Sequence, residues 1–390
     1  MSSYELKGKI AIVTGAGSGI NHALTELLLE AGCSVVMADV RLRPEAQQTL
    51  DRYPHHPGNK DNGEDHRPSA VFQPTDTGNW AQIRALWETA LQTYGRVNIV
   101  VNGAGVYEPP SSTFWNPPES SSSLSSPSPG VGVAPVDDPD AAVGQYQTFA
   151  INTTGPIRLA QIAVEYWLQH PELQGNMLFF ASVAGYVHGL LTPLYFASKA
   201  AIISFAKSLG GLREHCGIRS ACICPSTVHV CTLGTRLPTC LPLLLYLFLN
   251  RFWLLLRMVY GDVFASTNLS YLLSILHTKY RQTPLIHEIQ KHVNVRPDDL
   301  GLTGKECAEV AMRLLQEPQY GGGEIIECMK AFNVNKDKEG GDETVIQLRE
   351  VPVETLYPSF YNNNLDTIMG DPEKKLIQRL QQGKMRAAVE

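Results

Sequence analysis

The chain has 390 residues, 44% of them apolar and 18% charged, with 32 Lys and Arg against 38 Asp and Glu for a formal net charge of -6. That is enough apolar material for one large domain with insertions or for two domains, and it excludes wholesale disorder. The acidic balance argues against a non-specific nucleic-acid binder, which would carry a basic footprint.

The first hundred residues alternate in a βαβ rhythm. Lys9–Val13 reads as a strand, Ile20–Ala31 as a helix, Ser34–Ala38 and Ala70–Gln73 as strands, Ala81–Tyr94 as a helix and Val97–Val101 as a strand. A long helical stretch over Ala141–His170 follows, then a strand (Asn176–Ala181), a helix (Leu194–His215), a strand (Ile218–Cys224) and a last strand at Glu324–Cys328. Apolar strands alternating with amphipathic helices predict an α/β fold, a doubly wound parallel sheet of Rossmann type covered on both faces. The expected organisation is one such domain over residues 5–329, interrupted at about 53–68, 110–138 and 237–293, with a polar extension over 330–390.

Eight cysteines without a C-x-x-C pair exclude a disulfide scaffold and point to buried thiols in a reducing compartment. The opening residues, MSSYELKGKIAIV, run directly into a strand without a leader pattern, so a cytoplasmic location is expected. No metal-spaced histidine set occurs.

Chemistry concentrates at strand ends. The first strand closes on Thr14-Gly15-Ala16-Gly17-Ser18-Gly19-Ile20, a glycine-rich turn that enters a helix. Such a turn lets a pyrophosphate approach the backbone, while the helix N-terminus offers N–H groups and partial positive charge. Asp39 ends the second strand, where a carboxylate accepts hydrogen bonds from an adenosine ribose and repels a 2′-phosphate. That favours NAD, while Arg41 and Arg43 nearby keep NADP open. Tyr195 and Lys199 lie at i and i+4 on one helix face, and a neighbouring ammonium favours phenolate. Ser182 follows the fifth strand, and its hydroxyl can bind the same substrate oxygen. Gly15, Asp39, Asp76, Asn102, Ser182 and Pro225 thus follow six successive strands, on the carboxyl edge where such sheets bind ligands.

On these residues the chain resembles the short-chain dehydrogenase/reductase family, over roughly 5–230 and again near 296–329. Thr14-Gly15-x-x-x-Gly19-Ile20 is similar to its cofactor motif, Asp76 to its adenine-contact acid, and Asn102-Gly103-Ala104-Gly105 to its Asn-Asn-Ala-Gly segment. The pattern looks closest to the hydroxyprostaglandin-dehydrogenase-like branch, with its fungal members of specialised metabolism. The resemblance implies that Tyr195 is the acid/base and that Ser182 orients the substrate oxygen. Lys199 would lower the Tyr195 pKa and hold the nicotinamide ribose, and Asn152 would support a proton-relaying water. Val228 and Thr232 would supply nicotinamide-side contacts, beside Gly17 and Ser18 at the turn. The implied reaction interconverts a secondary alcohol and a ketone with NAD(P), on a small to medium apolar substrate, and family analogy adds a homo-oligomer.

Three positions depart from the pattern: Asn21 for the third glycine of the turn, Gly103 for the second asparagine after the fourth strand, and Ser226 for the glycine after Pro225. The segment 237–293 opens with an apolar run that suits a substrate lid. Arginines at 251 and 257 weigh against a span of ~20 apolar residues, so membrane contact is expected to be peripheral at most. Its composition, unlike that of its flanks, equally fits translated non-coding sequence. The rival reading is a nucleotide-binding or scaffold protein silenced by Asn21 or by this insertion. His188, with Tyr186, Leu190 and Leu191, stands between Ser182 and Tyr195, either as a pocket wall or as plain loop.

Overall fold

A computed structural model describes residues 3–56, 67–118, 135–141, 143–226, 228–229, 301–332, 344–352 and 374–385. In chain order the elements are β1 (Ile10–Thr14), α1 (Gly19–Glu30), β2 (Ser34–Asp39), α2 (Pro44–Arg52), β3 (Ala70–Pro74), α3 (Trp80–Tyr94) and β4 (Ile99–Asn102). There follow α4 (Gln147–Phe149), a π turn (Ala150–Thr154), α5 (Gly155–Gln169), β5 (Asn176–Phe180), α6 (Pro193–Ser208), α7 (Leu212–Cys216) and β6 (Arg219–Pro225). The last are β7 (Val228–His229), β8 (Leu302–Thr303), α8 (Gly304–Gln316), β9 (Gly322–Phe332) and β10 (Thr344–Glu350).

Eight strands form one sheet in the order β10-β9-β6-β5-β4-β1-β2-β3, parallel except for β10 against β9. This is the doubly wound α/β sheet that the alternating pattern predicts. The strand order reverses between β1 and β4, which are parallel neighbours, and in such sheets ligands bind outside the carboxyl ends at that switch point. Both faces are covered: the central strands β1, β4 and β5 are buried at every position. On β1, Ala11 and Val13 pack with α1 and α8, while Ile10 and Ile12 pack with α3, α5 and α6.

Two long helices predicted from sequence are broken in the structure. Within 141–170, regular α-helix begins only at Gly155, after the short α4 and the π turn. The chain there passes so close to the loop after β3 that a Cβ on Gly155 would lie 2.2 Å from the Thr77 carbonyl oxygen. The stretch over Leu194–His215 ends at Ser208 because Gly210 packs on the start of β9, where a Cβ would meet the Gly322 carbonyl at 2.3 Å. The last strand runs beyond Cys328 to Phe332 and pairs with β10, so part of the polar tail joins the sheet as an antiparallel edge. A helix over 374–381 stands where the late helical patch is expected.

The ends of two insertions are anchored. Pro54 bridges to Ala70, and the ends of the 110–138 segment meet where Ser112 Oγ donates to Asp137 Oδ1 at 3.2 Å. The segment 237–293, most of the Ser/Pro-rich stretch and Thr232 lie outside the described residues.

Candidate active site

The turn after β1 and the loop after β4 are built as one unit. Thr14 Oγ1 donates to the Val101 carbonyl at 3.1 Å and accepts from the Gly103 and Ala104 amides at 3.0 and 3.1 Å. Gly15 has φ 74°, and a Cβ there would sit 3.0 Å from the Ala104 backbone. Gly17 is constrained by space: an added Cβ would lie 2.2 Å from the Arg41 carbonyl oxygen and 2.8 Å from the Asp39 carboxyl. Ser18 starts α1 with extended backbone and no side-chain cap, and the first turn carries no acidic residue. The positive end of α1, at Gly19 and Ile20, is therefore left to another anion.

Asp39 accepts the Gly17 amide on Oδ2 at 2.9 Å, which fixes its carboxylate at the turn. Asp76 accepts the Gly78 amide on Oδ1 at 2.8 Å, on the same edge. Asn102 is 3% exposed, yet neither end of its carboxamide has a partner among the described residues. A buried amide without partners is costly to folding and marks a position set by something beyond the fold. Val228 pairs with Leu302, and both pack against the core beneath this edge. A dinucleotide fits this edge by the close-packed glycine cradle, the uncapped helix end and the unsatisfied amide.

The second half of the site is apolar and deep. Tyr195 is 7% exposed, its ring 4.7 Å from that of Tyr107, and Lys199 Nζ lies 5.8 Å from the Tyr195 ring centroid. Burial pushes the Tyr195 phenol up to about 12, and a hydrogen bond from the Ser182 side chain works against it. Burial pulls the Lys199 ammonium down to about 8, and its Nζ donates to the Phe180 carbonyl at 2.9 Å. The lowering influence on Tyr195 thus comes from Ser182, because Lys199 is turned to the end of β5. The structure brings Ser182 and Lys199 together around Tyr195, with Tyr195 and Lys199 on one face of α6.

Asn152 sits in the π turn, 1% exposed. Its Oδ1 accepts the Val106 amide at 2.8 Å, and its Nδ2 donates to the Val106 carbonyl at 2.9 Å and to Ser198 Oγ at 3.1 Å. Ser198 Oγ in turn donates to the Tyr195 carbonyl at 2.7 Å. The carboxamide therefore braces the loop after β4 against the helix that carries Tyr195 and Lys199. Of the wall residues, His188, Leu190 and Leu191 are exposed, and the Tyr186 hydroxyl is tied to Glu327.

Glu108 escapes the sequence reading. It is 5% exposed, and its Oε2 accepts the Tyr195 amide at 2.9 Å while Oε1 accepts Thr113 Oγ1 at 2.7 Å and the Phe114 amide at 3.1 Å. A carboxylate supplied 87 positions away thus holds the first turn of α6, which has no side-chain cap of its own. An acid followed by Pro109 and Pro110 in an otherwise weakly patterned loop was the only local sign. Among the described residues no group of His, Cys, Asp and Glu is placed to hold a metal ion, and no helix is long and apolar enough to cross a membrane.

A strand-order switch point with a glycine turn on one side and Ser182 against the buried Tyr195–Lys199 pair on the other defines a nucleotide-dependent oxidoreductase of Rossmann type. The family model for the short chain dehydrogenase matches residues 9–237, and the chain belongs to that family of NAD(P)-dependent oxidoreductases. An uncharacterized oxidoreductase of Staphylococcus aureus (strain USA300) is 26% identical over 234 residues, covering 60% of this chain and 84% of the relative. The 3beta-hydroxysteroid dehydrogenase 2 of Eggerthella lenta is 26% identical over 235 residues, 60% of this chain and 76% of the relative. In fold, the chain is similar to the 3-ketoacyl-(acyl-carrier-protein) reductase of Brucella melitensis complexed with NADH, with TM-score 0.50 and 18% identity over 83% of this chain and 97% of that one.

Proposed function

We propose that the protein interconverts a secondary alcohol and a ketone, with Tyr195 as the acid/base. The observation that carries this reading is the buried contact of Ser182 with the Tyr195 phenol, one helical turn from Lys199. A bound nicotinamide supplies the hydride acceptor or donor. In the oxidative direction the substrate hydroxyl gives its proton to Tyr195 Oη, and in reduction the same oxygen returns it. Ser182 orients the substrate oxygen and eases ionisation of the phenol, and Lys199, whose charged form burial disfavours, takes the nicotinamide ribose. Asn152 holds the loop after β4 against α6, which maintains the path from Lys199 outward.

Thr14, Gly15, Gly17, Ser18, Gly19 and Ile20 hold the pyrophosphate end, with Asp76 and Asn102 toward the adenine side and Val228 and Thr232 toward the nicotinamide. Asp39 at the turn favours NAD over NADP, because a 2′-phosphate would meet its carboxylate. The substrate is small to medium and apolar. Phe114, Trp115, Val187, Leu190 and Leu191 are exposed on the loops after β4 and β5, and Trp115 Nε1 donates to the Leu190 carbonyl at 2.9 Å. Those loops form an apolar rim, which fits an intermediate of specialised metabolism better than a sugar.

Titrating the purified protein with NADH and NADPH by nicotinamide fluorescence, then screening secondary alcohols and ketones, tests this. Tighter binding of NADH and turnover of apolar members of the panel are expected. Binding of neither nucleotide overturns the cofactor reading, and binding without turnover overturns the assigned chemistry.

A further inference from the structure

Two departures from the motif pattern, Asn21 and Gly103, meet in space although 82 positions separate them. Asn21 is the third residue of α1, 8% exposed, and its Nδ2 donates to the Gly103 carbonyl at 2.8 Å. A Cβ built on Gly103 would lie 2.2 Å from Asn21 Oδ1 and 2.4 Å from its Cγ and Nδ2. The Asn21 carboxamide therefore occupies the space in which a side chain at 103 would begin. The motif expects a glycine at the first position and an asparagine at the second, and this chain carries the opposite pair. Each change requires the other: a side chain at 103 has no room beside Asn21, and a glycine at 21 would leave that space without an amide.

We propose that Asn21 and Gly103 are one reciprocal substitution, in which a carboxamide delivered from α1 latches the loop after β4 to the glycine turn and so positions the walls of the cofactor cleft. The latch closes a seam already held by Thr14 and by the contact of Gly15 with Ala104. Folding alone does not account for the residue. Asn21 Oδ1 is buried without a partner among the described residues, and an apolar side chain would remove that cost. Asn21 thereby acts as a positioning residue, and the reading that it silences the site loses its structural basis. The inference rests on the assignment of this edge to NAD(P).

The test is a double-mutant cycle over Asn21→Gly and Gly103→Asn, with Asn21→Ala alongside, read by thermal stability and by NADH fluorescence titration. Gly103→Asn alone lowers the melting temperature and weakens NADH binding, and the double variant recovers both. Asn21→Ala melts at or above the wild-type temperature, since it keeps the helix and removes the unpaired oxygen, yet binds NADH on the order of three- to tenfold more weakly. Additive losses in the double variant, or unchanged NADH affinity in Asn21→Ala, overturn the proposal. If the wild type binds neither nucleotide, the NAD(P) assignment fails on its own. The melting temperatures then still decide coupling, with non-additivity retaining the reciprocal pair and additivity removing it.

Discussion

At the cofactor edge, Gly17, Asp39, Thr14 and Asn21 are placed by hydrogen bonds to backbone and by contacts too close for a Cβ, and of the four only Asp39 is partly exposed. Around Tyr195, by contrast, side chains from four separated segments converge in the interior, where burial moves the phenol and the ammonium in opposite directions. The first region is set by steric fit and tolerates little change of shape. The second is set by desolvation and tolerates little change of charge or hydrogen bonding.

The comparison can be broken most directly at Tyr195. Tyr195→Phe keeps the ring and its packing but removes the proton, so kcat falls by roughly 10²–10⁴-fold while NADH affinity stays at wild type. Equal losses in both measurements would merge the two regions into one. Gly17→Ala is the reverse experiment. Its Cβ has no room against Arg41 and Asp39, so NADH binding is lost and stability falls by about 1–3 kcal/mol in chemical denaturation.

Lys199→Met separates burial from function. With its folded value near 8 against an ordinary 10.5, Lys199 is protonated in both states below pH 8, and the folded protein then bears the whole cost of burying the charge. Between pH 8 and 10.5 the unfolded chain binds more protons, so wild-type stability climbs with pH, and above 10.5 the cost is gone. Lys199→Met removes turnover but gains roughly 2 kcal/mol near pH 7, after allowance for the lost bond to Phe180, and the gain vanishes by pH 10.5. Denaturation curves at pH 7, 9 and 10.5 measure this, and a gain independent of pH would remove burial as the cause.

The smallest effect is expected at Glu108. Glu108→Ala leaves the Tyr195, Phe114 and Thr113 donors without their acceptor and costs about 1–2 kcal/mol with a several-fold loss of kcat. Glu108→Gln keeps one acceptor oxygen and recovers part of both. Identical behaviour of the two variants would show that the loop after β4 holds α6 without the carboxylate.

The elements that local pattern could reveal were legible: β1 and its turn, β2 ending on Asp39, and the Tyr195–Lys199 spacing all read correctly, because each is a run of neighbours. α8 was equally legible, since Thr303 and Glu306 form a capping box ahead of an apolar stripe, yet it passed unread. The break before α5 and the end of α6 were not visible, because the contacts that cause them, Gly155 on Thr77 and Gly210 on Gly322, join distant segments. The same is true of β10, a polar edge strand that exists only because β9 offers it a partner.

By itself, the sequence determined the sheet, its carboxyl-edge constellation and the family, since these depend on periodicity and on short motifs whose chemistry is local. Only the tertiary structure decided which groups restrain Tyr195 and how the two motif departures fit together. Glu108, Asn152 and Ser182 reach it from three different loops, and Asn21 meets Gly103 across the seam between two strands. The physical reason is that burial and close approach are properties of packed neighbours, and neighbours in space are set by the closing of the sheet rather than by the order of the chain.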